Sequence, residues 1–526
     1  MAEQTVICKE SGNLLKILLA QGAFVDNPCN GKGTCGKCKV KLVSGEASPM
    51  SATEMGKLKP EERNNGLRLA CLTEVQSGAV AALLQQDRVH KVLTQGYMPA
   101  FEKDEYQTGY GVMIDIGTTT VVTSLVDMTT GNELANASMI NAQKHYGLDV
   151  LTRITYEYEH PDSGISELQG AIVDSINNMI DEVCVKSDVL RDQIDEIDVA
   201  ANCTMLHMLL GIDARSLGRA PYAPVFVDAK MLSAAEIGIT ASVNTKLYCL
   251  PSVSAYIGAD IVAGAYVCEL QKETGNVLFI DIGTNGEIVL ASKGRLLCCS
   301  CAAGPALEGM NISSGMRAAE GAIEDVVIFP DGIRLSVIGG KKPEGLCGSG
   351  ILAVVKELLR IGLVKKTGVF IKKDALEEND YRNSMLRING TKREFILCED
   401  SELIVTQSDV RQVQLAKGAI LSGFTALLQR AGIRMEELDK VMIAGQFGAH
   451  LPAESLVGTG ILPAAVKDKL EYVGNSSKTG AYMTLISKKV KKEVEQLAQY
   501  MDYMELAETE NYERIFTECL IYPEMS

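Results

Sequence analysis

The sequence predicts a multidomain α/β protein whose larger part is built around a duplicated hairpin. Val277–Leu290 reads VLFIDIGTNGEIVL, an apolar run ending in Asp281, a turn through Gly283, Thr284, Asn285 and Gly286, and a second apolar run. That pattern is a β-hairpin with a Gly-rich turn. The same design stands at Tyr110–Val126, YGVMIDIGTTTVVTSLV, and the string I-D-I-G-T occurs at Ile114–Thr118 and again at Ile280–Thr284. Two such turns predict an internally duplicated architecture in which both face one ligand. A Cys- and Gly-rich loop near the N-terminus marks a separate, smaller unit.

The chemistry of the turns suits phosphate. Glycine lets the backbone approach closely and adopt positive φ, so that successive N–H groups converge on an anion. Gly117, Thr118, Thr119 and Thr120 supply the first set of candidate donors, and Gly283, Thr284, Asn285 and Gly286 the second. Asp115 and Asp281, each at a strand end, are placed to hold Mg2+ through water. Either hairpin alone reads equally well as an ordinary turn with an Asp beside it; the recurrence favours the ligand.

The paired D-x-G-T hairpins resemble the two phosphate loops of the actin/hexokinase/heat-shock-chaperone superfamily of ATPases. Lys440–His450, KVMIAGQFGAH, resembles that superfamily's adenosine loop, with Gly445, Gln446 and Gly448 as its contacts. Leu346–Leu352, LCGSGIL, resembles the small-residue helix start, with Gly348, Ser349 and Gly350. The resemblance implies duplicated actin-like (ribonuclease H-like) lobes and ATP with Mg2+. No G-x-x-x-x-G-K-[ST] string exists, which excludes a P-loop.

At 526 residues the chain has room for two to four domains. Its 46% hydrophobic and 22% charged content is that of a globular protein. A net charge of −16, from 51 basic and 67 acidic residues, argues against a nucleic-acid partner. No apolar signal opens MAEQTVICKE, and no run approaches the roughly 18 apolar residues of a membrane span. Fifteen cysteines without a secretion signal point to the reducing cytoplasm, where thiols serve metal sites or cores.

Residues 1–90 read as one compact unit, with strands at Thr5–Lys9 and Lys39–Val43 and a helix near Asn13–Gln21. Cys29, Cys35, Cys38 and Cys71 form a C-x5-C-x2-C…C pattern. Three thiolates on a tight glycine-bearing loop and one distant thiolate suit a [2Fe-2S] cluster. Structural zinc favours paired C-x2-C knuckles, and only one is present. The x5 gap is similar to that of the vertebrate and hydroxylase-associated ferredoxins, which implies a β-grasp ferredoxin fold. Gly31-Lys-Gly33-Thr-Cys-Gly36 matches G-x-G-x-x-G but has no βαβ context, so it is not a dinucleotide site. Cys8 falls outside the pattern and is expected in the core. Residues 91–110 are polar and aperiodic, and read as a flexible linker.

Residues 111–255 are expected to form the first ATPase lobe, with a helix near Ile165–Val185 and a strand leading to a helix over Asp195–Met208. Asn202 and Thr204 fall at the expected cleft loop, and His207 reads as a core histidine. The second lobe is assigned to 256–526. At its start, Pro251–Tyr266 runs from a loop into a Gly/Ala-rich helix, and Asp260 is a candidate for positioning water or metal. An acid favoured by the helix dipole is the plain alternative. In Leu296–Ala322, Gly304 marks the cleft mouth and Glu308 is placed to face Mg2+ or water. Cys298, Cys299 and Cys301 admit a second cluster, but neighbours on a strand point to opposite faces, which favours buried thiols. The loop Asn311–Gly315 reads as a surface turn; contact of Ser313 or Ser314 with a partner is the sharper alternative. Gly418–Ala431 reads as an amphipathic helix, and 452–526 alternates helical and charged segments.

A [2Fe-2S] ferredoxin unit fused to such an ATPase resembles the reductive activators of corrinoid proteins in anaerobic methyl transfer. The resemblance covers nearly the whole chain, including GPALEG at Gly304–Gly309. It implies ATP-dependent return of inactive Co(II) to Co(I) on a partner protein. For a one-electron step each ~59 mV is tenfold, so an unfavourable gap of about 240 mV leaves roughly one molecule in 10^4 reduced. No D-x-H-x-x-G string occurs, so the corrinoid is expected on the partner. A low-potential electron donor is implied without being identified, and a homodimer through the C-terminal lobe is implied by the resemblance alone. Two other classes share parts of the pattern. One is an activator of 2-hydroxyacyl-CoA dehydratases, which uses a [4Fe-4S] cluster between subunits; the other is a small-molecule kinase with a ferredoxin module.

Overall fold

The computed structural model describes residues 4–21, 23, 25, 31, 33, 36, 38–83, 97–105, 107–390, 392–445 and 451–524. The chain divides into two compact units, Met1–Val89 and His90–Ser526. Expected Cys29, Cys35, Gln446 and Gly448 lie outside the described residues.

In the smaller unit four strands form a mixed-order antiparallel sheet, Gln4–Ile7, Val80–Leu83, Lys39–Ser44 and Leu67–Leu69. The helix Leu14–Ala20 begins where the Asn13 side chain accepts from the Lys16 N–H, and it buries Leu14, Leu15, Ile17 and Leu18. Cys8 is fully buried in that core, as expected. The short strands at Leu67–Leu69 and Val80–Leu83 carry too few residues for alternation to announce them.

The larger unit contains two six-stranded sheets of the same design. In the first, the hairpin Tyr110–Ile116 and Thr120–Asp127 pairs antiparallel, and its first strand pairs parallel with Ile194–Ala201. In the second, Val277–Ile282 and Gly286–Ser292 pair antiparallel, and the first strand pairs parallel with Lys440–Ala444. The duplicated string is therefore a duplicated topology: antiparallel neighbour on one side, parallel crossover strand on the other. With the ferredoxin-like unit, this is the multidomain α/β class that the sequence predicts.

The long helices Gly164–Ser187 and Gln407–Ala431 carry apolar stripes that cover the first and second sheets. The second starts at Gln407, eleven residues before the amphipathic stretch legible in the sequence, capped by Thr406, whose side chain accepts from the Asp409 N–H. After the strand Leu470–Gly474, the chain returns to the first lobe. The helices Ser476–Ile486 and Lys488–Tyr500 place Ala481, Leu485, Val490 and Val494 in the first sheet's core. Met501–Tyr503 then closes the far edge of the second sheet beside Arg295–Cys301.

The segment expected to be a flexible linker is fastened to the larger unit from Tyr97 onward. The Tyr97 N–H donates to Val473 O at 2.8 Å, and Lys103 Nζ donates to Met128 O and Thr129 O at 2.9 and 2.7 Å. Gln107 Nε2 donates to Leu485 O at 3.1 Å, and the Phe101 ring meets Tyr482 edge-on. Its polar groups serve as donors to carbonyls of the larger unit, so aperiodicity here reflects docking. Among the described residues no helix is long and apolar enough to cross a membrane.

Candidate functional site

The first hairpin turn is held from behind by its own carbonyls. Gly117 N–H donates to Thr120 O, and an added Cβ at Gly117 would stand 2.8 Å from that oxygen. Asn141 Nδ2 donates to Gly117 O and the Asn141 N–H to Thr119 O, both at 2.9 Å, while Arg153 Nη2 donates to Thr118 O at 2.5 Å. A trans peptide points its N–H opposite its C=O. Tying these carbonyls back therefore turns the Thr118 and Thr119 N–H groups the other way, toward the cleft. Asn202, which caps the helix Cys203–Leu209, donates to Thr118 Oγ at 3.1 Å.

The second turn is pinned by Gly283 N–H to Asn285 O at 2.9 Å and Gly304 N–H to Thr284 O at 2.8 Å. Glu308, 1% exposed on the turn Pro305–Glu308, connects the two hairpins: it accepts from the hydroxyls of Thr284 and of Thr119, the latter at 3.2 Å. Two turns far apart in sequence thus meet at one carboxylate. Burial raises the Glu308 pKa, and the Thr284 and Thr119 hydroxyls and the Arg317 charge oppose the rise.

Four further carboxylates stand close enough to repel one another at the two hairpins and the helix beside them. Asp115 accepts from Ser477 Oγ at 2.7 Å and Asn475 Nδ2 at 2.8 Å. Asp260 lies in the first turn of the helix Ala259–Val267. Asp281 and Glu287 are directly opposite each other in the second hairpin, where like charges repel. Burial and then the neighbouring Asp281 and Asp115 push Asp260 up to about 7, and burial and then Asp115 push Asp281 up to about 7. Glu287 is also raised, by burial and then by Asp260 and Asp281. Such an anionic cluster attracts a hard cation. Among the described residues no three acidic, Cys or His side chains close around a single point. The donor set thus suits an ion held partly through water and phosphate oxygens.

Gly445, at φ 90°, packs directly on this cluster: an added Cβ would stand 2.5 Å from Asp281 Oδ1. The strand that opens the expected adenosine loop therefore reaches the second phosphate turn. Gly348 and Gly350 serve a different contact. Added Cβ atoms there would stand 1.9 Å from Leu307 O and 2.1 Å from Ile323 O, so these glycines let the helix Gly348–Arg360 pack close behind Glu308. Ser349 Oγ lies 3.3 Å from Cys347 Sγ.

In the smaller unit Cys38 and Cys71, two of the expected cluster ligands, come together. Their sulfurs are 3.3 Å apart, far beyond a disulfide of about 2.05 Å, and both are buried. The Ala70 N–H donates to Cys38 O at 2.8 Å, and Gly31, Gly33 and Gly36 all take positive φ along the loop. Paired thiols beside a left-handed glycine loop fit an iron–sulfur cluster.

Other candidates resolve as structural. Cys298 faces one core, while Cys299 and Cys301 face the other, and burial raises all three thiols, so they are buried side chains of a strand. His207 is a core histidine bonded to Cys203 O and to the Val225 N–H. Both serine hydroxyls of the loop 311–315 are used internally, Ser313 with Asp409 and Ser314 with Ile404 O.

Sequence reasoning missed Glu287, although it stands in the quoted hairpin and its register opposite Asp281 follows from the turn. It also missed Asn141, Arg153, Asn475 and Ser477, which reach the first turn from distant parts of the chain without a local signature.

Three family models match in series. A 2Fe-2S iron–sulfur cluster binding domain matches residues 2–76, the RACo middle region matches 110–273, and the C-terminal domain of RACo, its ASKHA domain, matches 275–526. The chain is 35% identical over 412 residues to the corrinoid activation enzyme RamQ of Eubacterium limosum, covering 76% of this chain and 69% of that one. It is 26% identical over 440 residues to a Methanosarcina barkeri reductase of a Co(II) methylated amine-specific corrinoid protein, covering 77% and 76%. A solved structure of a reductive activator for a corrinoid, iron–sulfur protein superposes with a TM-score of 0.70 at 30% identity, covering 97% of this chain and 96% of that one.

Proposed function

The chain belongs to the family of reductive activators of corrinoid proteins, and from that premise we propose that it returns a partner's corrinoid from Co(II) to Co(I) at the expense of ATP. The observation that carries this reading is the convergence of both hairpin turns on Glu308, with Asp115, Asp260, Asp281 and Glu287 at the two hairpins and the helix beside them. The N–H groups of Thr118 and Thr119, the Thr118 hydroxyl and, from the second turn, the Asn285 N–H bind the phosphates. Asp115 and Asp281, with Asp260 and Glu287 beside them, would hold Mg2+ through water and phosphate oxygens, and Gly445 leaves room for the nucleotide next to Asp281.

Cys29, Cys35, Cys38 and Cys71 would hold the [2Fe-2S] cluster, which would supply a one-electron donor of low potential. Glu308 contacts both turns, so a change in its hydrogen bonds on nucleotide binding or hydrolysis reaches both lobes at once. ATP thereby biases the closure of the cleft between two states. The corrinoid is substrate and stays on the partner. A low-potential electron donor is a further partner, and the protein works in the cytoplasm.

The test is a visible spectrum under strict anoxia of the full chain, a chemical reductant, ATP and a Co(II) corrinoid protein. ATP-dependent growth of the Co(I) band, lost with Cys29→Ala or Asp281→Ala, is expected. Cluster bleaching without Co(I), across several corrinoid proteins, would favour an activator of another enzyme class. A phosphorylated small molecule formed together with ADP would make the chain a kinase.

A further inference from the structure

Arg153 is the largest fully buried side chain among the described residues. It projects from the helix Val150–Glu159 into the space behind the first hairpin turn. Its polar contacts are all to neutral acceptors: Nε to Gly147 O at 2.9 Å, Nη1 to Gln143 Oε1 at 3.2 Å and Met205 Sδ at 3.1 Å, and Nη2 to Thr118 O at 2.5 Å. Asp149 accepts from the Thr152 N–H, and Glu157 accepts from the Ala214 N–H. Among the described residues no carboxylate forms an ion pair with it. Burial lowers its pKa to about 9, which leaves it protonated at neutral pH.

Asp149 is the one charge that offsets this burial, and it makes no ion pair with the guanidinium. A buried cation without a direct ion-pair partner is costly, and a guanidinium does not escape the cost by losing its proton. For holding a loop alone, a neutral amide would supply donors without that penalty. The position explains the charge. Thr118 C=O and Thr119 N–H belong to one peptide group, and a charged donor on the oxygen withdraws electron density and strengthens the N–H as a donor on the far side. That far side is the phosphate face of the cleft.

We propose that Arg153 is a positioning residue for the nucleotide's phosphates, fixing and polarising the Thr118–Thr119 peptide from behind so that its N–H meets the anion. The proposal rests on the nucleotide reading of the cleft. It makes Arg153 specific for phosphate: the residue acts on the charged part of the ligand and leaves adenosine unaffected.

Titration of the full chain with ATP, ADP and adenosine, using wild type, Arg153→Gln and Arg153→Lys, tests it. Arg153→Gln is expected to weaken ATP and ADP at least tenfold while changing adenosine less than twofold. Arg153→Lys keeps the charge but cannot span Gly147 O and Thr118 O together, so a three- to tenfold loss confined to ATP and ADP is expected. Equal weakening of ATP and adenosine would make Arg153 purely structural and overturn the proposal. An unchanged ATP-to-adenosine ratio in either folded variant would overturn it too. If Arg153→Gln does not fold, the Arg153→Lys ratio decides. Wild type that binds adenosine and ATP equally, or neither, removes the nucleotide-site reading and the proposal with it.

Discussion

The Thr119 hydroxyl stands 3.2 Å from Glu308 Oε2 and joins the halves of a duplicated site through one buried carboxylate. Thr284 donates to the other oxygen, so each hairpin spends one hydroxyl on the same acid. An acid with 1% exposure between two anion-binding turns is electrostatically unfavourable for phosphate unless it acts through water or a cation.

Glu308→Ala is therefore expected to affect turnover more than binding. Removing the bridge leaves the first turn's backbone intact, since Asn141 ties the Gly117 and Thr119 carbonyls, Arg153 ties that of Thr118, and the Gly117 N–H donates to Thr120 O. ATP hydrolysis should fall about 100- to 1,000-fold in kcat, the range for losing one preorganised polar group, with KM changing less than about threefold. Steady-state ADP release measures both. A wild-type kcat, or a loss confined to KM, would show that Glu308 only braces the turns.

What the sequence made legible was local. The string I-D-I-G-T, repeated with its flanking apolar runs, reports two hairpins because a hairpin is encoded within about a dozen residues. The C-x5-C-x2-C spacing reports a metal loop for the same reason. Asn475 and Ser477 lie on the far side of the chain from Asp115, yet both donate to it, because the helix Ser476–Ile486 crosses back to the first lobe. No periodicity signals which sheet a helix will choose. Arg153 was hidden by its own chemistry: in sequence it is one of many helical arginines, and only burial without a direct ion pair makes it unusual.

His207 gives the fold a predictable acid sensitivity. Its Nε2 accepts from the Val225 N–H at 3.1 Å while Nδ1 faces Cys203 O at 2.8 Å, which fixes the neutral Nδ1–H tautomer. Burial lowers its pKa below the ordinary value of 6.5. The unfolded chain then binds more protons than the folded one as pH falls below 6.5. The stability from neutral His207 is intact above that pH and is lost toward the depressed folded value, at up to about 1.4 kcal/mol per pH unit. Thermal unfolding of wild type and His207→Leu at pH 7.5 and 5.5 measures this. The variant should be less stable at pH 7.5 but lose less on acidification; parallel losses would exclude His207 as the source.

In the smaller unit, the carboxylate of Glu54 supports the segment that carries Cys71. It is fully buried and accepts from Arg68 Nε at 2.8 Å, Arg68 Nη2 at 3.0 Å, the Leu69 N–H at 2.8 Å and Thr73 Oγ1 at 3.3 Å. Arg68 and Leu69 lead directly into Ala70, whose N–H donates to Cys38 O, so one ion pair sets the approach of two cluster ligands. Glu54→Ala leaves a buried guanidinium without its counter-ion, a loss of about 3–5 kcal/mol. A double change of Glu54 and Arg68 to methionine removes both charges and should cost less. Iron and sulfide per chain, with the visible cluster absorption, are expected to fall in the single variant and recover partly in the double. ATP hydrolysis by the separate larger unit serves as the control, because it should remain at wild-type level in both. Full iron content in Glu54→Ala would show that the cluster loop is set without the ion pair.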